Sequence, residues 1–260
     1  MYVPVCSTSL EKMVRSLAPK LMCAVVVSAI GIGSAPALAA SSRGSSSMSG
    51  PGSLDGYWAA TSVWTLQRGP QINGAPTFHT PDGQTIPLLP AVAKIVAERT
   101  HDLHLASSSL PCLTDGMPAV AAPPSKYPIE ILEQPKQVTI LLEWFRNFRI
   151  IRMDVDHPDD PDSAFLGDST GRWDRGALVV DTVAIDPRTN ILGRIPHSEQ
   201  LHVVERFRRT GPTTMEDKIT IDDPKTFSRP WSIVARFKRK MITNLSGFSC
   251  GSDSSTDGKH

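Results

Sequence analysis

The stretch Gln200–Ile221, QLHVVERFRRTGPTTMEDKITI, carries the period on which the fold rests. Side chains of a strand alternate between its two faces. Leu201, Val203, Glu205 and Phe207 therefore share one face, and His202, Val204, Arg206 and Arg208 share the other. Gly211-Pro212 interrupts the pattern as a turn, after which Thr214–Ile221 resumes it with Met215, Asp217 and Ile219 on one face. Two antiparallel strands follow from this, with a carboxylate set into the apolar face of each.

The same period extends outward to Ile129–Glu133, Gln137–Trp144, Phe148–Met153, Ala177–Ile185 and Trp231–Arg239. Gly56-Tyr57-Trp58 opens an eighth segment, and Ile242–Phe248 offers a ninth. Short connections at Asn147, Gly176 and Asp223-Pro224 favour antiparallel neighbours. The pattern predicts an all-β chain with its sheet curled into a single antiparallel barrel. Helical spacing is confined to Leu88–His104, with Pro90 in its first turn, while the turn-rich Pro70–Pro87 and the Pro-rich Ser107–Lys126 make long N-terminal loops.

With 260 residues, 40% of them hydrophobic, the chain can build a sizeable core. Its 27 Lys plus Arg against 26 Asp plus Glu give no single-sign field, which argues against a nucleic-acid partner. Lys12, Arg15 and Lys20, the apolar run Leu21–Ile32 and Ala37-Leu38-Ala39 read as a secretory signal peptide over residues 1–39. Residues 40–53 read as a Ser/Gly-rich linker, 54–250 as the barrel domain and 251–260 as a disordered tail. No membrane span is expected in the mature chain, whose location would be periplasmic or secreted. Cleavage would leave Cys112 and Cys250 as the remaining cysteines, in an oxidising compartment. A bridge between them would stabilise the fold by about 4–5 kcal/mol, the alternative being two buried thiols.

Candidate site residues come from the same periodicity. Glu205 points toward the expected core, and Asp181 shares a face with Val179, Val183 and Ile185. A carboxylate on an apolar face either meets an arginine such as Arg149, Arg172 or Arg206, or keeps its proton and serves as an acid or base. His157 and His197 lie in loops, and Arg172, Trp173 and Trp231 are candidates for holding substrate. No complete metal-ligand set, phosphate loop, serine elbow or C-x-x-C motif is present, so no cofactor is expected.

Gly167–Thr182 (GDSTGRWDRGALVVDT), His197–Arg209 (HSEQLHVVERFRR) and Ile219–Trp231 (ITIDDPKTFSRPW) resemble an uncharacterised family of secreted β-rich proteins of soil bacteria and sphingomonads. The resemblance implies secretion and a β fold. That family's D-G-R-x-H-P corresponds to Asp154–Pro158 here, and its W-M-G-H-S to Phe165–Ser169, so Asp168 stands where the family has a second histidine. Gly56-Tyr57-Trp58 is also similar to the G-x-W that opens lipocalins, which implies a lipocalin-like barrel.

Three functions are compatible with these residues. The first is a cofactor-independent acid/base enzyme of lyase, isomerase or hydratase type, acting on a small hydrophobic or aromatic compound in a barrel cavity through Glu205, Asp181, His157 and His197. The second is a carrier of such a compound, and the third an envelope structural protein with a filled barrel.

Overall fold

The computed structural model describes residues 52–62, 66–72, 74–80, 82–101, 115–123 and 127–246. The chain divides into a unit over Met1–Gly44, outside the described residues, and one over Ser45–His260 that holds the barrel. Cys112 and Cys250, the signal-peptide segment, most of the linker and the tail lie outside the described residues.

Nine strands close the barrel: β1 (Gly56–Ala60), β4 (Ile129–Gln134), β5 (Gln137–Leu142), β6 (Asn147–Met153), β7 (Asp168–Asp174), β8 (Ala177–Val183), β9 (His202–Gly211), β10 (Thr214–Asp222) and β11 (Trp231–Arg239). Around the barrel the order is β1-β11-β10-β9-β8-β7-β6-β5-β4, and pairing of β1 with β4 completes the ring. A separate two-stranded sheet joins β2 (Gln67–Arg68) to β3 (Phe78–His79), and one helix, α1 (Pro90–His101), buries Ala93 and Val96. Among the described residues the architecture is therefore an all-β barrel with one short α-helix.

Three particulars differ from the sequence reading. First, β7 has little apolar alternation, yet it forms a full barrel strand. Second, β6 and β7 run parallel, unlike the other junctions of the barrel, so the sheet is not wholly antiparallel. Nine strands and a parallel junction also depart from the eight-stranded up-and-down meander of a lipocalin. Third, the described part of Ile242–Phe248, up to Ser246, contains no strand.

Parallel neighbours need a long return connection, because the chain must travel back to the starting end before the second strand begins. Residues 154–167 make that return and carry His157 to the outer wall beside β7 and β8. Asp154 turns the chain out of β6 with φ +56 and donates its N–H to the Gly171 carbonyl at 2.8 Å. Gly167 ends the return at φ +67, where a Cβ would lie 2.6 Å from the Val183 carbonyl oxygen, so only glycine fits immediately before β7.

Inside the barrel, Trp58, Ile131, Ile140, Ile151, Val180, Phe207, Ile219 and Phe237 are buried around a polar centre. Arg149 on β6 donates both terminal nitrogens to Glu205 on β9, Nη1 to Oε1 at 2.9 Å and Nη2 to Oε2 at 2.7 Å. Nη2 also reaches the Ser169 and Thr182 hydroxyls at 3.2 Å. A fork of this kind is the strong form of ion pair, and its geometry offsets the desolvation of two charges. Beside it lies Asp217, fully buried, whose Oδ1 accepts the Arg206 N–H at 3.1 Å. Burial and the adjoining Glu205 carboxylate push its carboxyl well up, so Asp217 keeps its proton and stands next to Glu205 as a neutral acid.

A raised carboxyl stabilises the fold below the ordinary value of 3.8, and that contribution is lost as pH rises toward the folded-state value. Asp217→Asn copies the shape of the protonated acid but does not titrate. Its Tm should therefore fall less than that of the natural chain as pH rises above 3.8. Parallel Tm curves for the two proteins would show that Asp217 is ionised in the fold.

Candidate functional site

The alternation of β8 places Leu178, Val180 and Thr182 inward, with Thr182 hydrogen-bonded to Arg149. Asp181 therefore points outward, opposite to the sequence reading. The physical reason is that Ala177–Val180 is apolar on both faces, and all four residues are buried, so hydrophobicity does not reveal which face is inside. The same counting turns Asp168, Thr170 and Arg172 of β7 outward, while Ser169 reaches Arg149. On β9, Glu205 is inside and His202 outside.

These outward residues form one cluster. Thr170 and Asp181 are register partners, and Arg152 on β6 is the partner of Thr170 on its other side. Asp181 Oδ1 lies 3.0 Å from His202 Nε2 and 3.1 Å from His157 Nε2, so two imidazoles meet on one carboxylate. The far nitrogen of His157, Nδ1, is 2.5 Å from Asp168 Oδ1. Arg152 Nη2 donates to both oxygens of Asp168, at 2.6 and 2.9 Å. The Thr170 hydroxyl stands 3.3 Å from His157 Nε2. His157 is 22% exposed and, with Asp154, Asp156, Thr170, Arg172 and Asp181, lines a pocket of about 400 Å³ on the outer wall.

Charge in this cluster follows from its contacts. The hydrogen bond from His202 holds the Asp181 carboxyl below its ordinary 3.8, and the same bond raises His202 above its ordinary 6.5. The Asp181 side of the pair fades as pH falls through the lowered carboxyl value. The His202 side is complete below 6.5 and is lost as pH rises through the raised histidine value. At neutral pH the Asp181 carboxylate is ionised, and it favours the protonated form of His202 on its flank.

The remaining candidates lie elsewhere. Glu205 belongs to the core ion pair, and the space lined by Arg149, Glu205 and Phe207 amounts to about 10 Å³, one water's worth, so no compound is accommodated beside Glu205. Asp181 and His157 do not share a cavity with it. His197 is buried between the Thr189 hydroxyl at 2.7 Å and the Ser198 carbonyl at 2.9 Å, and burial lowers its proton affinity. It is a neutral ring that ties loops together. Trp231 is a core residue, 2% exposed and edge-on to Phe227 at 5.5 Å. Arg172 reaches the His157 pocket, whereas Trp173, next in sequence, faces a second pocket.

Sequence reasoning gives no role to four members of the cluster. His202 is placed on the outer face, Arg152 reads as an ordinary strand residue between Ile151 and Met153, and Asp168 and Thr170 lie in a stretch without hydrophobic alternation. The available signal is charge alternation within one face, Asp168-Thr170-Arg172 on β7 beside Asp181 on β8 and His202 on β9. Among the described residues, no group of three or more His, Cys, Asp or Glu is placed to hold a metal ion. Comparison with protein-family models, curated proteins and solved structures gives no match to this chain.

Proposed function

We propose that this protein is a cofactor-independent acid/base catalyst of lyase, isomerase or hydratase type, working in the outer-wall pocket, with His157 as the proton carrier. One observation supports this reading above the others: His157 has a partner at Nε2 in either protonation state. Nδ1 lies 2.5 Å from the Asp168 carboxylate, which only accepts when ionised, so in this reading Nδ1 holds its proton throughout. When Nε2 carries a proton it donates to Asp181, and when it is bare it accepts from the Thr170 hydroxyl. A ring that gains or loses a proton without reorienting meets the geometric demand of general acid–base catalysis.

The step is a proton abstraction next to a carbonyl. Nε2 takes the proton, the C–H electron pair moves into the enolate, and Arg172 faces the oxygen that gains charge. Return of the same proton from Nε2, to the original carbon or to a conjugated one, completes an isomerisation. For an elimination, the enolate pair reforms the carbonyl and a C=C bond as a β leaving group departs with its bonding pair and takes the proton from Nε2. We place the chain in the periplasm or outside the cell, on the leader pattern of residues 1–39.

Exchange of the α-protons of 2-acetylnaphthalene in D2O, followed by proton NMR, tests the reading without a known substrate. The natural chain should accelerate exchange, and His157→Gln should remove the acceleration by about 10²-fold or more. Equal rates for the two proteins would overturn His157 as the carrier.

A further inference from the structure

A second pocket, of about 460 Å³, adjoins the first. It is lined by Val138, Met153 and Trp173 with Pro135 and Glu133, at the barrel end where the β4–β5 and β7–β8 turns and the C-terminal end of β6 meet. Met153 and Val138 are inward-facing and buried, whereas Trp173, also in the lining, is 44% exposed. Asp154, the residue that turns the chain out of the barrel, lines both pockets. An apolar chamber at the rim and a polar one on the wall thus meet at a single residue, and each has the volume of a small-molecule site.

Resting on the reading of His157 as proton carrier, we infer that the substrate is an amphipathic molecule straddling this rim. Its apolar ring or chain sits against Trp173 and Met153, and a neutral carbonyl or hydroxyl group reaches past Asp154 to His157 and Arg172. Neutrality follows from the charges that face the polar chamber. The lining holds Asp154, Asp156 and Asp181 against Arg172, so carboxylates outnumber the one arginine there even with His202 hydrogen-bonded to Asp181. An anionic head would meet an excess of negative charge there. The apolar end follows from the aromatic face of Trp173, which offers stacking to a flat ring.

The test is a titration of the full chain with 2-acetylnaphthalene and, separately, 2-naphthoate, followed by the ¹³C–¹H signal of the Met153 methyl, assigned through Met153→Leu. The neutral ketone should shift the methyl saturably by its ring current. Naphthoate should bind at least tenfold more weakly, and Trp173→Ala should weaken the ketone at least tenfold. The methyl shift reports binding without turnover, so a failure of catalysis leaves this result readable on its own. No shift at Met153 would overturn the rim site, as would ketone binding that ignores Trp173→Ala. Naphthoate bound as tightly as the ketone would overturn the neutral head.

Discussion

Glu205→Ala should destabilise the barrel by about 3–5 kcal/mol, because it strands the Arg149 guanidinium, 3% exposed, with two hydroxyls and only the buried Asp217 carboxyl, which must give up its proton to supply a counter-charge. For a domain of this size that is a fall in Tm of roughly 6–20 °C, a large share of a total stability of about 5–15 kcal/mol. The reason is desolvation. A charge held away from water is tolerated only while its partner and hydrogen bonds are present. Arg149→Met/Glu205→Leu removes both charges at once and should be less destabilised than Glu205→Ala alone, since buried pairs replaced by apolar groups of similar volume are often neutral. Thermal unfolding of the single and double variants checks this. A double variant with the summed loss of Arg149→Met alone and Glu205→Leu alone would mean that the ion pair contributes nothing as a unit.

Asp168→Asn should lower turnover about 10²-fold while changing substrate affinity no more than about twofold. The carboxylate takes no place in the pocket lining, so its action passes through His157. The introduced amide could still accept from Nδ1–H through its oxygen, but it could equally turn its N–H₂ toward the ring and favour the tautomer with the proton on Nε2. That tautomer leaves no base facing the pocket. The loss should therefore appear in kcat and not in KM, and the dependence of rate on pH should change shape as well. An equal loss in both constants, or an unchanged pH profile, would reduce Asp168 to a scaffold residue.

Much of the barrel is legible in the sequence because the hairpin Gln200–Ile221 and the segments flanking it have one clean apolar face. Strands β4, β5, β6, β9, β10 and β11 all appear at their expected stretches. Strand β7 is hidden for a physical reason: Asp168, Thr170 and Arg172 face the outer cluster, Ser169 serves Arg149, and Gly171 makes room for Ile151 and Met153. A strand that carries polar groups on both faces shows no hydrophobic period. The parallel β6–β7 junction is invisible for the same reason, since without β7 the return segment 154–167 has no destination. At the site, periodicity correctly turns Glu205 inward, where Arg149 meets it. It turns Asp181 to the wrong face because the neighbouring residues are apolar on both, and that single parity decides whether Asp181 meets Glu205 or His157.

The proposed chemistry requires that His157 exchange its proton at Nε2 while Asp168 fixes Nδ1–H. Long-range ¹⁵N–¹H correlation spectra of the His157 ring, recorded over a series of pH values, read the two nitrogens separately. Nδ1 should stay protonated throughout, only Nε2 should change from N–H to a bare nitrogen, and Asp168→Asn should mix the tautomers. A ring whose Nδ1 loses the proton while Nε2 keeps it would rule out His157 as the proton carrier at Nε2.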